Sequence, residues 1–152
     1  KPDKEKSHFR LSEVVTAATK LMDGAFKSRC AQVEVEQLAD CVVYGYPGEY
    51  SQVVVNILSN AKDAFEARQV VEPRVRLTLD VREGKSLLSI EDNAGGIPEE
   101  DLPRIFDPHF STKGPHGSGI GLFMSKNIIE KNMNGRLTVR NTAAGALFCI
   151  EV

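Results

Sequence analysis

The chain has 152 residues, with 19 Lys and Arg against 21 Asp and Glu, a formal net charge of -2; this is ordinary for one domain and lets roughly 70% of the unfolded surface be buried without staples or metals. Apolar residues at 41% and charged residues at 26% are the proportions of a soluble globular fold and argue against disorder. The near-neutral balance leaves no electrostatic footprint for nucleic acid or an acidic membrane surface, and no apolar run is long enough to span a bilayer.

The first seven residues are charged and lack apolar periodicity, which suits a linker stub, and the start Lys1-Pro2-Asp3 without Met reads as a piece of something longer. From Leu11, the residues Val14, Val15, Ala18, Leu21, Met22, Ala25 and Phe26 recur at helical spacing, with Ser12 as a candidate cap. Residues 31–36 alternate cleanly as a strand with one wet face. Tyr46-Pro47-Gly48 reads as a turn, and a helix follows over residues 49–68. Residues 74–82 alternate with period two, Glu83-Gly84-Lys85 turns, and residues 86–91 form an apolar strand, so the pair reads as a hairpin. Between residues 92 and 117 lies a stretch rich in Gly, Pro and charge, and so long a loop is usually functional. A helix over residues 118–132 stops at Gly135, and a closing hairpin turns at Ala143-Ala144-Gly145. The order predicts an α/β two-layer sandwich: a mixed, mainly antiparallel sheet with three helices on one face. The odd number and wide spacing of Cys30, Cys41 and Cys149 indicate reduced thiols in a cytosolic protein.

Three polar features stand apart from the core pattern. On the second long helix Asn56, Asn60 and Asp63 share one face, beside an apolar stripe of Val54, Ile57, Leu58, Ala61 and Phe65. A neutral amide oxygen can ligate a hard cation already neutralised by phosphates; the same amides could equally bond a neighbouring loop. Asp92-Asn93-Ala94-Gly95-Gly96-Ile97 runs from a strand end into a double glycine. A carboxylate there only accepts hydrogen bonds and so fits an exocyclic amine, although Asp-Asn and Gly-Gly also make plain turns. Gly117-Ser118-Gly119-Ile120-Gly121-Leu122 opens the last helix, exposing backbone N–H groups and a positive dipole end suited to phosphate. It is neither a Walker loop nor a dinucleotide fingerprint, since Leu122 stands where the latter needs its third Gly.

In this order, the pieces resemble the ATP-binding catalytic domain of sensor histidine kinases, in the superfamily shared with gyrase, heat-shock chaperone and mismatch-repair ATPases. The resemblance runs from about residue 9 to 152, leaving residues 1–8 as the stub of a missing dimerisation segment. Residues 52–64 look like its N box, 92–97 its first glycine box, 105–113 its F box and 117–122 its second glycine box. The resemblance implies ATP and Mg2+ as cofactors. It puts the magnesium on Asn60, Asn56 close to the phosphates, Asp63 as a residue that orients the site, Ala64 in the cofactor site, and the adenine amino group on Asp92, with Gly96 and Ile97 lining the base pocket. Ser111, Thr112 and Lys113 become candidates to touch phosphate, with Phe106 and Phe110 pinning a lid. Backbone groups of Gly117, Ser118, Gly119, Ile120, Gly121 and Leu122 would cradle the phosphates. Asn56, Asn60 and Lys113 form the implied catalytic set. Two departures are Ala94, where the stricter pattern has Gly, and Asp63, where many kinases carry Lys or Arg.

The superfamily's hydrolases resemble one another in an acid one turn before the magnesium Asn, where this chain has Asn56. An amide cannot take a proton near neutral pH, so the position favours transfer to an imidazole nucleophile. His8, His109 and His116 all lack a phosphoacceptor helix context, which implies a substrate histidine on a segment outside this chain. The resemblance further implies a response regulator downstream, a homodimeric parent around a monomeric domain, and a cytoplasmic site for it without nucleic acid or direct membrane contact. The alternatives are a nucleotide-gated interaction module without phosphotransfer and a gyrase-type ATPase, the latter disfavoured by Asn56.

Overall fold

The structure is a computed structural model that describes residues 5–108, 110 and 121–152. Strand β1 (Ser7–Arg10) runs into helices α1 (Leu11–Leu21) and α2 (Asp23–Ser28), followed by strands β2 (Gln32–Gln37) and β3 (Val42–Gly45). Helix α3 (Pro47–Arg68) and strands β4 (Arg74–Arg82) and β5 (Lys85–Asp92) come next. A 3-10 turn (Leu102–Arg104), helix α4 (Gly121–Asn127) continued by a π turn (Ile128–Asn132), and strands β6 (Arg136–Asn141) and β7 (Ala146–Glu151) complete the described elements.

Five strands make one sheet in the order β2-β4-β5-β7-β6. Only the β2–β4 pair in it is parallel, as a crossover through β3 and α3 requires; β4–β5, β5–β7 and β6–β7 are antiparallel. Val75, Leu77 and Leu79 on β4, Leu88 and Ile90 on β5, Leu137 on β6, and Phe148 and Ile150 on β7 are buried. They share one core with Leu11, Val15 and Ala18 of α1, with Ile129, and with the α3 stripe of Val54, Ile57, Leu58, Ala61 and Phe65. This is the expected two-layer sandwich. Every expected member of the α3 stripe is buried, and Tyr50 and Val53 extend it by a turn.

Helix α3 begins two residues before its expected start. Pro47 sits in the first turn, where its missing N–H is harmless and its fixed φ is already helical, so the expected turn is the opening of the helix. Glu49 in the first turn and Arg68 in the last complement the helix dipole, and Gln69, with φ 50 and ψ 53, ends it in the left-handed region.

Three expectations are revised. The helix expected over residues 11–26 breaks at Met22, which closes α1 and opens α2; Met22 and Phe26 stay buried, while Leu21 is turned out with 73% exposure. Residues 7 and 8 are strand rather than stub: β1 and β3 form an antiparallel ribbon, with Ser7 opposite Gly45 and His8 opposite Tyr44. The cap of α1 is supplied from a distance. Its N-cap is Arg10, without a side-chain bond, and Asp40 instead accepts from the Ser12 amide at 3.0 Å and the Ser12 hydroxyl at 2.6 Å. Asp40 also accepts from the Cys41 amide at 2.9 Å.

Burial alone would raise the Asp40 pKa, but the bonds from Ser12 and Cys41, with help from Arg10, outweigh it and hold the carboxyl below its ordinary value. The folded chain therefore binds this proton less tightly than the unfolded chain. The resulting stability is present above the ordinary carboxylate range and is lost as pH falls through the lowered value. Replacing Asp40→Ala is expected to cost about 1 kcal/mol at neutral pH, the size of a lost helix cap. Urea midpoints measured across acid pH should show that difference shrinking as the wild-type carboxyl protonates.

Candidate functional site

The end of β5 and the start of β7 enclose one carboxylate. Asp92 is the last residue of β5, and its Oδ1 accepts from the backbone N–H of Ala94 at 3.0 Å and of Ala146 at 3.3 Å. Burial pushes its carboxyl above the usual range; the two N–H bonds and the charge of Arg68 oppose that, and Glu91 adds to it. Both of these bonds end on Oδ1. Arg68, from the end of α3, also donates to the Ala94 carbonyl at 2.7 Å.

The glycine turn after Asp92 has a left-handed backbone at Gly95 (φ 95) and Gly96 (φ 89), conformations that favour glycine. Ala94 is outside that region and only 5% exposed, so the extra methyl at this departure from the family pattern is a core atom. Asn93 ties the turn to the α3–β4 connection, accepting from the Arg74 amide at 2.8 Å and donating to the Glu72 carbonyl at 2.9 Å. From the β6–β7 side, Thr142 Oγ1 donates to Glu91 Oε2 at 2.6 Å and accepts from the Gly145 amide at 3.1 Å.

Gly145 was expected only as a turn residue, yet its space is already taken. A Cβ there would lie 2.4 Å from the Asp92 carbonyl oxygen and 2.5 Å from Asp92 Oδ1. Arg68, Thr142 and Gly145 are supporting residues that sequence reasoning missed. Their types suit exposed helix ends and turns, so only their neighbours in space reveal the role.

Asn56, Asn60, Asp63 and Ala64 lie half-buried on α3. Asn56 uses both ends of its amide on protein groups. Nδ2 donates to Ser125 Oγ at 3.0 Å and to the Gly121 carbonyl at 3.3 Å, and Oδ1 accepts from Gln52 at 2.8 Å. It joins α3 to the first turn of α4, where Ser125 itself bonds the Gly121 carbonyl at 2.8 Å. Asp63 pairs with Lys62 at 3.3 Å. Among the described residues no group of three or more His, Cys, Asp and Glu could hold a metal. A cation beside Asn60 would therefore be held by one amide oxygen together with ligand phosphates. That donor set fits magnesium, which binds through few protein oxygens and keeps substrate phosphates in its shell.

Gly121 and Leu122 are half-buried at the start of α4. Phe106 sits edge-on to Phe148, with centroids 6.5 Å apart, under the Lys126 Nζ at 4.7 Å, and Phe110 lies beneath the Arg104 guanidinium at 4.8 Å. A cavity of about 520 Å³ is lined by Leu102, Phe106, Phe123, Lys126 and Val139 among others. It lies on the side of α4 away from Asn56 and is not the expected base pocket. Half-buried Gly96 and Ile97 stand beside Asp92. Ser111, Thr112, Lys113, Gly117, Ser118, Gly119 and Ile120 lie outside the described residues, as do His109 and His116.

The profile of the family described as histidine kinase-, DNA gyrase B-, and HSP90-like ATPase matches residues 45–152. The chain belongs to this family. It is 41% identical over 115 residues to the two-component sensor PprA of Pseudomonas aeruginosa, covering 73% of this chain and 12% of PprA. It is 32% identical over 140 residues to the sensor histidine kinase ZraS of Klebsiella oxytoca, covering 91% of this chain and 29% of ZraS. The chain thus spans less than a third of either relative. The catalytic domain of the histidine kinase ThkA, in a nucleotide-free form, superposes with a TM-score of 0.88 at 25% identity, covering 97% of this chain and 95% of that one. Within this ATPase family the chain is a histidine kinase ATP-binding domain, and its amides, strand-end acid and glycine turn are parts of that domain.

If Gly145 is an obligatory gap over Asp92, Gly145→Ala forces the hairpin and carboxylate apart. Overpacking of this kind costs roughly 1–3 kcal/mol. A lowered thermal midpoint together with weakened ATP binding is the expected result, read by a melting scan and a nucleotide titration.

Proposed function

We propose that residues 9–152 form the catalytic domain of a two-component sensor histidine kinase that passes the ATP γ-phosphate to a histidine on a dimerisation segment outside this chain. The observation that carries the reading is the Asp92 carboxylate, fixed through Oδ1 by two backbone donors. In this reading its Oδ2 accepts from the adenine amino group, with Gly96 and Ile97 as the wall of the base pocket. Asn60 offers its amide oxygen to the magnesium, which supplies charge neutralisation along the phosphates. Phosphate contacts fall to Ser111, Thr112 and Lys113 and to backbone groups of residues 117–122, with Asp63 and Ala64 beside them.

The chemistry asked of the chain is positioning. An imidazole nitrogen of the incoming histidine forms a bond to the γ-phosphorus as the bond to the β–γ bridging oxygen breaks and ADP leaves. No side chain of α3 needs to take a proton, and the amide of Asn56 cannot take one near neutral pH. That also weighs against a gyrase-type hydrolase, which needs a base at this turn.

The similarity to a two-component sensor supports a response regulator as the downstream partner and a homodimeric parent, with the isolated domain a monomer. The near-neutral charge supports a protein partner over nucleic acid. No described helix is long and apolar enough to cross a membrane; a cytoplasmic place for the domain is part of the same reading.

Two substitutions test separate halves of the site. Asn60→Ala is expected to abolish magnesium-dependent gain in ATP affinity and transfer to a restored dimerisation segment; retention of both defeats the assignment. Asp92→Asn is expected to weaken ATP by roughly 10–100-fold, the worth of a hydrogen bond to a charged group, while tripolyphosphate binding holds. Equal losses of the two ligands would falsify the adenine role. Because burial raises the Asp92 pKa, wild-type ATP affinity should fall on acidification at a higher pH than an ordinary carboxylate would dictate, and Asp92→Asn should lack that step.

A further inference from the structure

The last residue of β6, Asn141, is bonded to Ile97 in both directions. The Ile97 amide donates to Asn141 Oδ1 at 2.8 Å, and Asn141 Nδ2 donates to the Ile97 carbonyl at 2.7 Å. One side-chain amide thus satisfies both backbone groups of a residue that no strand pairs. The fit depends on Gly96, where a Cβ would lie 2.8 Å from Asn141 Oδ1. Asn141 Nδ2 also reaches Glu99 Oε2 at 3.4 Å. One residue farther back, the Gly95 amide donates to the Ala144 carbonyl of the same hairpin at 3.2 Å.

Gly95 and Gly96 are the two most permissive residues of the turn, and a glycine segment outside a sheet loses much backbone entropy when fixed. Without a partner on its far side, the segment would sample many shapes before a ligand arrived. We propose that Asn141 is a positioning residue for the nucleotide base: through Ile97 it holds the wall of the base pocket in its binding shape before ATP enters. It does not touch ATP itself. The role rests on the ATP-site reading above and deepens it, because it separates recognition of the base from recognition of the phosphates. A wall already fixed removes an ordering cost from binding, and that cost falls only on ligands that carry a base.

The test compares wild type, Asn141→Ala and Asn141→Asp as the full chain, with ATP and tripolyphosphate as ligands. In Asn141→Ala, ATP is expected to bind roughly tenfold more weakly, the net size of one or two lost hydrogen bonds, with tripolyphosphate within about twofold of wild type. Hydrogen exchange without nucleotide should show the Ile97 amide losing protection. Asn141→Asp keeps an acceptor for that amide but turns a negative charge toward the Ile97 carbonyl and Glu99. It should protect the Ile97 amide and still weaken ATP, and it carries the comparison if Asn141→Ala does not fold. In the parent kinase the KM for ATP should rise with kcat unchanged. Unchanged ATP affinity in Asn141→Ala, or equal losses of ATP and tripolyphosphate, overturns the positioning role. Failure of the wild type to bind ATP is a distinct result: it removes the ATP-site reading, and this role with it.

Discussion

A carboxylate partly withdrawn from water at the end of a strand is best met by donors that are already in place, and the Asp92 carboxylate ties its surroundings together for that reason. One of its donors, the Ala146 amide, belongs to the first residue of β7. The acid is therefore served only if β5 and β7 pair in the register that sets Glu91 opposite Leu147 and Ile90 opposite Phe148. A slip of one residue would carry that amide away and turn Phe148 and Ile150 out of the core. Site and core thus depend on one register. Gly145, immediately before β7, allows the backbone to come this close.

Helix α3 serves the same two purposes on two faces. Its apolar stripe fills the space over the sheet, and its amide face meets the start of α4 through Asn56, Gly121 and Ser125. Lys126 continues that connection. Its Nζ bonds Glu130 at 3.0 Å and the Leu137 carbonyl at 3.2 Å while lying over the Phe106 ring, and Glu130 in turn accepts from the Leu137 amide at 3.2 Å. Burial of Glu130 would raise its pKa, but the Lys126 bond and the Leu137 amide outweigh that and hold it below its ordinary value. The ion pair so covers backbone groups of an edge strand that would otherwise stand open to another chain. One lysine therefore joins α4 to the β6 edge and to the aromatic pair Phe106–Phe148.

Long periodic segments were legible in the sequence because hydrophobic spacing repeats over several turns: α3, β4, β5 and the closing hairpin fall within one or two residues of expectation. The β1–β3 ribbon was not legible, since four-residue strands carry too few alternations to stand out. The Asp40 cap was hidden for a different reason: its partner Ser12 lies 28 positions away, and capping rules read only local neighbours. At the site, Asp92 and the glycine pair were visible because an acid before glycines is unusual at the end of an apolar strand. Gly145 and Asn141 look in sequence like any turn residues. Their roles exist only where the hairpin folds back over the glycine turn. At Asn56, where the sequence leaves open both a ligand contact and a bond to a neighbouring segment, the structure shows bonds to α4.

The amide at position 56 bears on how the chemistry is divided. If the residue one turn before Asn60 were an acid, α3 could offer a base next to the phosphates, and water would compete as a nucleophile. An amide fixed by Gln52, Ser125 and Gly121 offers no such base and holds the helix pair in register instead. Asn141, Arg68 and Gly145 do comparable holding work around Asp92, each shaping that segment through backbone contacts. The described part of the site thus supplies holding groups around Asp92 and between α3 and α4. An imidazole, with a lone pair available near neutral pH, is the kind of nucleophile that asks no base of α3.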